Sequence, residues 1–478
     1  MELLQQLPPL AVFKHFVDIN QIPRPSSGEK AVSDFILNFA TGLGLKVHQD
    51  SMHNLIIYKP GTAGKENNPP VILQAHLDMV WEKNADTQFD FDKQGIDMYV
   101  DGDLIRARGT TLGADNGLGT AMTMALLEAT DIPHPPLEVL LTTEEETGMG
   151  GAMALDTSLL AGRKMINLDN SEESKIIMGC AAGAGISYRI PSKLQASPPS
   201  AAAVEITISG LMGGHSGGDI EKERANAIVL LAQTLSAVND TIPIYLSAIK
   251  GGMKVNAIPR EAVATIVTNS LDKTLAKLEE LQQNIITKYR ASDKDIKISH
   301  KLIDLPTTVL ANTHGVLASI CLMPAGPLSF SKEIEGLVTA SNNPGVIKTT
   351  HDAVIITAMA RGAAAFYNKE TELKIAQLAK LTGAEVQFDD RSPAWPYNPD
   401  SELLKIAEKL YTPIFGQAPN VTAIHAGLEC GLFAEKIPGL DIIAIGPENK
   451  DLHTPDERLS IASTEKMWQF LKDLLQAI

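Results

Sequence analysis

The sequence predicts an α/β catalytic domain, a mostly parallel sheet flanked by helices, interrupted by an inserted α+β lid domain. Three observations carry that expectation. From residue 10 to about 185, short apolar runs of buried-strand type alternate with stretches of helical spacing, the pattern of a parallel sheet covered on both faces. Acids and histidines stand at or just past the ends of those runs, where α/β sheets bind ligands. A histidine that would complete the set arrives only at position 453, so the middle of the chain must be an insertion.

Taken in order, 29–43 has helical spacing, 55–58 and 71–74 read as strands, and 117–129 reads as an apolar helix. Residues 137–143 and 164–168 are again short buried strands. At 191–203 the texture changes to PSKLQASPPSAAA, a linker-like stretch. Beyond it, 204–210 alternates as a strand, 223–237 reads as a helix, 254–259 and 262–269 as strands, and 271–289 as a helix. A second, looser series spans 336–388, with a strand at 353–360 and a helix at 369–381, which suggests a lid of two repeated halves. RSPAWPYNP at 391–399 marks the return, followed by a helix at 401–411, a strand at 441–445 and a helix at 464–478. The expected domains are therefore a discontinuous catalytic domain, 1–187 with 391–478, and an inserted lid, 188–390.

Composition narrows the function classes. A chain of 478 residues is too long for a single core, and 44% hydrophobic with 21% charged residues is ordinary for a globular enzyme. The net charge of −16 argues against nucleic acid and anionic membrane partners. No apolar run approaches the ~20 residues that span a bilayer. Residues 1–10 have neither a basic nor an apolar signal region, so no secretory signal is expected. Cys180, Cys321 and Cys430 are odd in number and far apart, which fits a reducing cytoplasm and no disulfide framework.

Five segments carry the chemistry: VILQAHLDMV with His76 and Asp78, TTLGADNGLG with Asp115, EVLLTTEEETGMGG with Glu145 and Glu146, KMINLDNSEE with Asp169, and ENKDLHTPDERLS with His453. Two histidines with several carboxylates form a mixed nitrogen and oxygen set that suits zinc, cobalt or manganese better than calcium or magnesium. One carboxylate can bridge two ions while another stays free as a base, the arrangement of a co-catalytic metallohydrolase. His76 and Asp78 are two apart, so on an extended strand both face the same way and Asp78 can accept a hydrogen bond from the ring nitrogen that does not bind metal. Each segment also has an ordinary reading: Asp115 as a helix cap, the three glutamates as a solvated turn, His453 as a solvent-facing loop histidine. The weight lies in their joint order.

HLDMVWEKN, GTTLGADNGLG, TTEEETGMGGA, INLDNSEE and HTPDERL, together with GLMGGHSGGDI and KVNAIPR, resemble the bacterial aminoacyl-histidine dipeptidases (cytosolic non-specific, carnosinase-like). These belong to the di-zinc metallopeptidase family that includes aminoacylases and acetylornithine deacetylase. The resemblance runs over essentially the whole chain. It implies that His76, Asp115 and Asp169 hold one metal and Asp115, Glu146 and His453 the other, with Asp115 bridging, Glu145 as general base and Asp78 orienting His76. It further implies that His215, in GGHSGGD, contacts substrate and helps stabilise the oxyanion, and that Asn256 and Arg361 bind the substrate carboxylate. The remaining histidines, His425 among them, receive no role. The expected cofactors are two divalent ions per chain, zinc first, with cobalt and manganese as alternatives. The expected activity is hydrolysis of small dipeptides with broad specificity, including aminoacyl-histidine and β-alanyl-histidine substrates, through a water shared by the metals. A homodimer is one assembly left open. The alternatives are an N-acyl amino acid deacylase on the same scaffold and a non-catalytic, metal-dependent binding protein.

Overall fold

The protein was studied as a computed structural model that describes residues 4–478, with backbone alone at 390 and 391; positions 1–3 of the N-terminal stretch lie outside the described residues. It divides into two units. The first comprises residues up to 179, 397–423 and 429–478; the second comprises 180–396 and 424–428. The first join falls at 179/180 instead of the expected 187/188, because the strand Ala182–Pro191 pairs along its whole length with Ala353–Gly362 of the second unit. The short return 424–428 also goes with the second unit.

The first unit is organised by an eight-stranded sheet. Its order is Lys46–Gln49, Leu55–Lys59, Leu137–Thr142, Val71–His76, Lys164–Asn167, Asp441–Ala444, Lys175–Cys180 and Asn420–Ile424. The four central strands, from Leu137–Thr142 to Asp441–Ala444, are parallel. Leu55–Lys59 joins Leu137–Thr142 antiparallel, and Lys46–Gln49 joins it in turn. VILQAH and LEVLLT are buried at every position, as expected of strands covered on both faces. The chain leaves Val71–His76 for one neighbour, Leu137–Thr142, and later takes the other, Lys164–Asn167. Strand order therefore reverses at Val71–His76, and its carboxyl end is the switch point where such sheets open a crevice.

The helix Ala114–Glu128 packs in this core with nearly all of its residues buried. It requires glycine at Gly117, where an added Cβ would lie 2.5 Å from the Arg24 guanidinium. Helices Leu10–Asn20, Glu402–Phe415 and Ile461–Ala477 contribute Phe13, Phe16, Leu403, Tyr411, Phe470 and Leu471 to the same core.

The second unit is built on a fully antiparallel sheet whose order is Lys297–Ile303, Ala202–Ser209, Ala262–Thr268, Ile244–Gly251, Val338–Thr349, Ala353–Gly362, Ala182–Pro191 and Glu385–Ser392, with Gly326–Phe330 beside Val338–Thr349. Read outward from the centre, the two halves match. Each contributes four strands and two helices in the order strand, helix, strand, strand, helix, strand, and the second half adds Gly326–Phe330 ahead of Val338–Thr349. The second half takes its first strand, Ala182–Pro191, from ahead of the first half. Sequence reading missed that strand, whose AGAG start is buried at every position and only whose ISYRI portion alternates. The strand expected at 254–259 is instead a turn with a two-residue bridge, Ala257–Ile258 against Gly214–His215. Asn343 Nδ2 donates to the carbonyls of Val255 and Ala257 and so occupies the groups a strand ladder would use.

Candidate metal centre

All five ligand candidates come together at the carboxyl end of the parallel strands. His76 closes its strand. Glu146 lies in the turn after Leu137–Thr142, Asp169 follows Lys164–Asn167 by two residues, and His453 comes from the loop between Asn449–Lys450 and Arg458–Ser460. Asp115 enters from the start of the helix, where its own backbone is not helical (φ −82°, ψ 112°). Its side-chain oxygens face His76 and His453 and not the first amides of the helix, so it is not the ordinary cap its sequence context also allows.

The two oxygens of Asp115 are divided between two groups. Oδ1 lies 3.1 Å from His76 Nε2, which is also 3.6 Å from Asp169 Oδ1. Oδ2 lies 3.3 Å from His453 Nε2, which is 3.0 Å from Glu146 Oε1. Ligand atoms of His76, Asp115 and Glu146 all fall within 4.8 Å of one another. His76 is fully buried, while His453, at the rim, has 47% of its side chain exposed.

The electrostatics describe a cluster short of positive charge. Burial alone would lower the His76 pKa, but Asp169, Asp115 and Asp78 hold it well above the usual range. Hydrogen bonds to Asp115 and Glu146 push His453 up to about 11. Asp115 is driven well below the usual carboxylate range, since its bonds to His453 and His76 overcome its burial. Burial raises Asp169 to about 6 against the pull of His76. Glu145 is raised well above the carboxylate range by burial, with Asp169, Glu146 and Glu429 adding to the effect. Two imidazoles and three carboxylates around shared oxygen atoms, with protons held where charge is lacking, fit a pair of divalent cations.

Asp78 does more than spacing suggests. His76 Nδ1 is 3.3 Å from its Oδ1 and 3.1 Å from its backbone carbonyl. Its carboxylate also accepts the backbone N–H groups of Glu145 and Glu146 and the Ser26 hydroxyl. Burial would raise its pKa, and these bonds, His76 foremost, bring it to about 2. One side chain thus contacts the His76 ring and pins the backbone of the glutamate pair.

Three supporting residues escaped sequence reading. Glu457, four residues past His453 and buried, accepts the backbone N–H groups of Leu112, Gly113, Ala114 and Asp115 at 2.7–3.3 Å. Arg24 is buried and donates from Nη1 to the carbonyls of Leu77 and Asp78 and from Nη2 to that of Gly113. Asn116 Nδ2 donates to Asp169 Oδ1 at 2.8 Å. Only HTPDE hinted at Glu457; Arg24 acts through distant carbonyls that no spacing reveals.

The remaining candidates belong to the second unit. His215 is exposed, and its Nδ1 accepts the amides of Gly217 (3.2 Å) and Gly218 (3.0 Å). That leaves the ring proton on Nε2, a donor. Asn256 stands beside it, its carbonyl accepting the Ser216 amide. Arg361 is buried, opposite Ser341 in the sheet, and its Nε has no partner among the described residues. Ser341 Oγ meets His425 Nε2 at 2.7 Å. Burial, then the charges of Arg361 and His215, lower His425 to about 3. His425, given no role from sequence, is thus part of the Arg361 neighbourhood.

Residues 72–477 match the peptidase family M20/M25/M40. The cytosol non-specific dipeptidase of Escherichia coli (strain K12) is 36% identical over 482 residues, covering 100% of this chain and 99% of the relative. The crystal structure of an aminoacylhistidine dipeptidase from Vibrio alginolyticus superposes with a TM-score of 0.90 at 36% identity, covering 99% of this chain and 98% of that one. An aminopeptidase from Bacillus cereus shares the fold, with a TM-score of 0.60 at 15% identity over 98% of both chains. This chain belongs to peptidase family M20/M25/M40.

Proposed function

We infer that this chain is a metal-dependent dipeptidase of broad specificity that acts on small dipeptides, aminoacyl-histidine and β-alanyl-histidine among them. The observation that carries the reading is the division of Asp115: each of its oxygens serves a different histidine and carboxylate group. His76, Asp115 and Asp169 would hold one divalent cation and Asp115, Glu146 and His453 the other, zinc first, with cobalt or manganese able to substitute. Such a pair lowers the pKa of a shared water and polarises the scissile carbonyl.

The chain's own groups do the rest. Glu145, next to a ligand and half-buried, takes the proton of the attacking water and passes it to the leaving amine. The elevated affinity of Glu145 for a proton fits that relay, and nearby cations would lower it again. Asp78 fixes the ring of His76 and the backbone of 145–146. His215 offers its Nε2–H to the developing oxyanion, and Asn256 and Arg361 receive the substrate carboxylate. The relative named as cytosolic supports a cytoplasmic setting; among the described residues no helix is long and apolar enough to cross a membrane.

The test is a substrate panel: β-alanyl-histidine, Gly-Gly and N-acetyl amino acids, after chelation and after return of each metal. Metal-dependent cleavage of the dipeptides is the expected result. Cleavage of the N-acetyl amino acids alone would make the chain a deacylase, and metal binding with no turnover would make it a binding protein.

A further inference from the structure

Glu429 is buried (1% exposed) and lies at the start of the helix Glu429–Lys436, in the first unit. The mechanism does not use it. Its Oε2 accepts two hydrogen bonds, from Gln74 Nε2 at 2.5 Å and from the Thr142 hydroxyl at 2.7 Å. Gln74 Oε1 in turn accepts Asn167 Nδ2, and Asn167 Oδ1 accepts the backbone N–H of Asp169 at 3.2 Å. These side chains come from the three adjacent parallel strands that deliver ligands. Gln74 precedes His76 by two residues on the same face, Thr142 is the register partner of His76, and Asn167 is the register partner of Gln74.

We propose that Glu429 is a positioning residue for the metal centre: its Oε2 ties together the carboxyl ends of Val71–His76 and Leu137–Thr142 and, through Gln74 and Asn167, fixes the backbone from which Asp169 projects. Polar side chains inside a parallel sheet are costly unless satisfied. Here they form one connected chain from Glu429 to a ligand-bearing residue, and Glu429 supplies the acceptor that Gln74 and Thr142 share. The other carboxyl oxygen, Oε1, has no partner among the described residues. The role therefore rests on one accepting oxygen and not on charge. Glutamine can keep it: an amide oxygen in the place of Oε2 accepts both donors, while its NH₂ takes the place of Oε1.

The inference rests on the assignment of His76 and Asp169 as ligands, and its test separates the two. Full-length wild type, E429Q, E429A and T142V are titrated with Zn²⁺ against a competing chelator, and the Co²⁺-loaded proteins are compared by absorption spectrum. Wild type that binds no Zn²⁺ tightly would remove the ligand assignment itself. Given tight wild-type binding, E429Q should stay within about twofold and keep the Co²⁺ spectrum. E429A should bind ~10-fold more weakly, the lower end of the usual cost of losing a residue behind metal ligands, with a changed spectrum. T142V, which removes one donor and keeps the side-chain volume, should fall between them and provides the reading if E429A does not fold. Unchanged affinity and spectrum in both E429A and T142V would overturn the proposal. So would E429Q binding as weakly as E429A, which would make charge the cause.

Discussion

Asp115, Glu146 and Asp169 are restrained by side chains from elsewhere in the chain, whereas the His215 ring is exposed and oriented by amides of its own turn. Glu457 gathers the backbone ahead of Asp115, Asp78 holds the backbone of Glu146, and Asn116 holds the carboxylate of Asp169. At His215 the amides of Gly217 and Gly218 choose the tautomer. The difference follows from charge. Carboxylates gathered within a few ångströms repel one another, so their positions must be imposed by surrounding structure. A neutral imidazole that donates one hydrogen bond needs only its proton on the correct nitrogen and access to substrate. Substitutions in the first group should therefore act on metal content, and substitutions in the second on turnover.

The largest effect expected is from Asp115→Ala. Removing a carboxylate that serves two cations leaves them repelling each other, so both ions and all turnover should be lost on metal analysis and assay. Two tightly held ions in this variant would move the bridge to another residue. Next is Glu145→Ala, which should keep both metals and lose ~10²–10⁴-fold in rate, the usual contribution of a general base. Less than one ion per chain in the purified variant would make Glu145 a ligand instead.

His215→Ala carries the comparison to the second unit. Metal content and substrate affinity should be unchanged while kcat falls ~10²–10³-fold, the cost of one oxyanion donor. A loss confined to KM would make His215 a ground-state contact, and no loss would return it to the role of a turn residue. The smallest effect is expected from Glu457→Gln, in which an amide NH₂ would be forced against backbone donors. Zn²⁺ affinity should drop ~10-fold, with little change in the rate of the fully loaded enzyme. A changed kcat at saturating metal would show that the Asp115 loop does more than hold a ligand.

Much of the first unit was legible because buried parallel strands leave a simple record: continuous apolar runs that end in an acid or histidine. VILQAH, LEVLLT and KMIN were readable in this way, and so were His76, Glu146 and Asp169 at or beyond their ends. The second unit left a fainter record. Its first repeated strand lies ahead of the other half, and 254–259 became a turn because Asn343 took up its backbone carbonyls. The supporting residues were illegible for a related reason. Arg24, Glu457 and Glu429 act through backbone groups or side chains 53 to 355 positions away, and no local spacing encodes such a contact.

The account turns on a pair of ions sharing Asp115, and a metal titration of the chelated wild-type enzyme tests it most directly. Zn²⁺ is added in sub-stoichiometric steps while bound metal and β-alanyl-histidine hydrolysis are followed together. Two ions should bind per chain, with full hydrolysis reached only as the second is taken up. Full activity at one equivalent, with no second site, would contradict the shared-ligand centre.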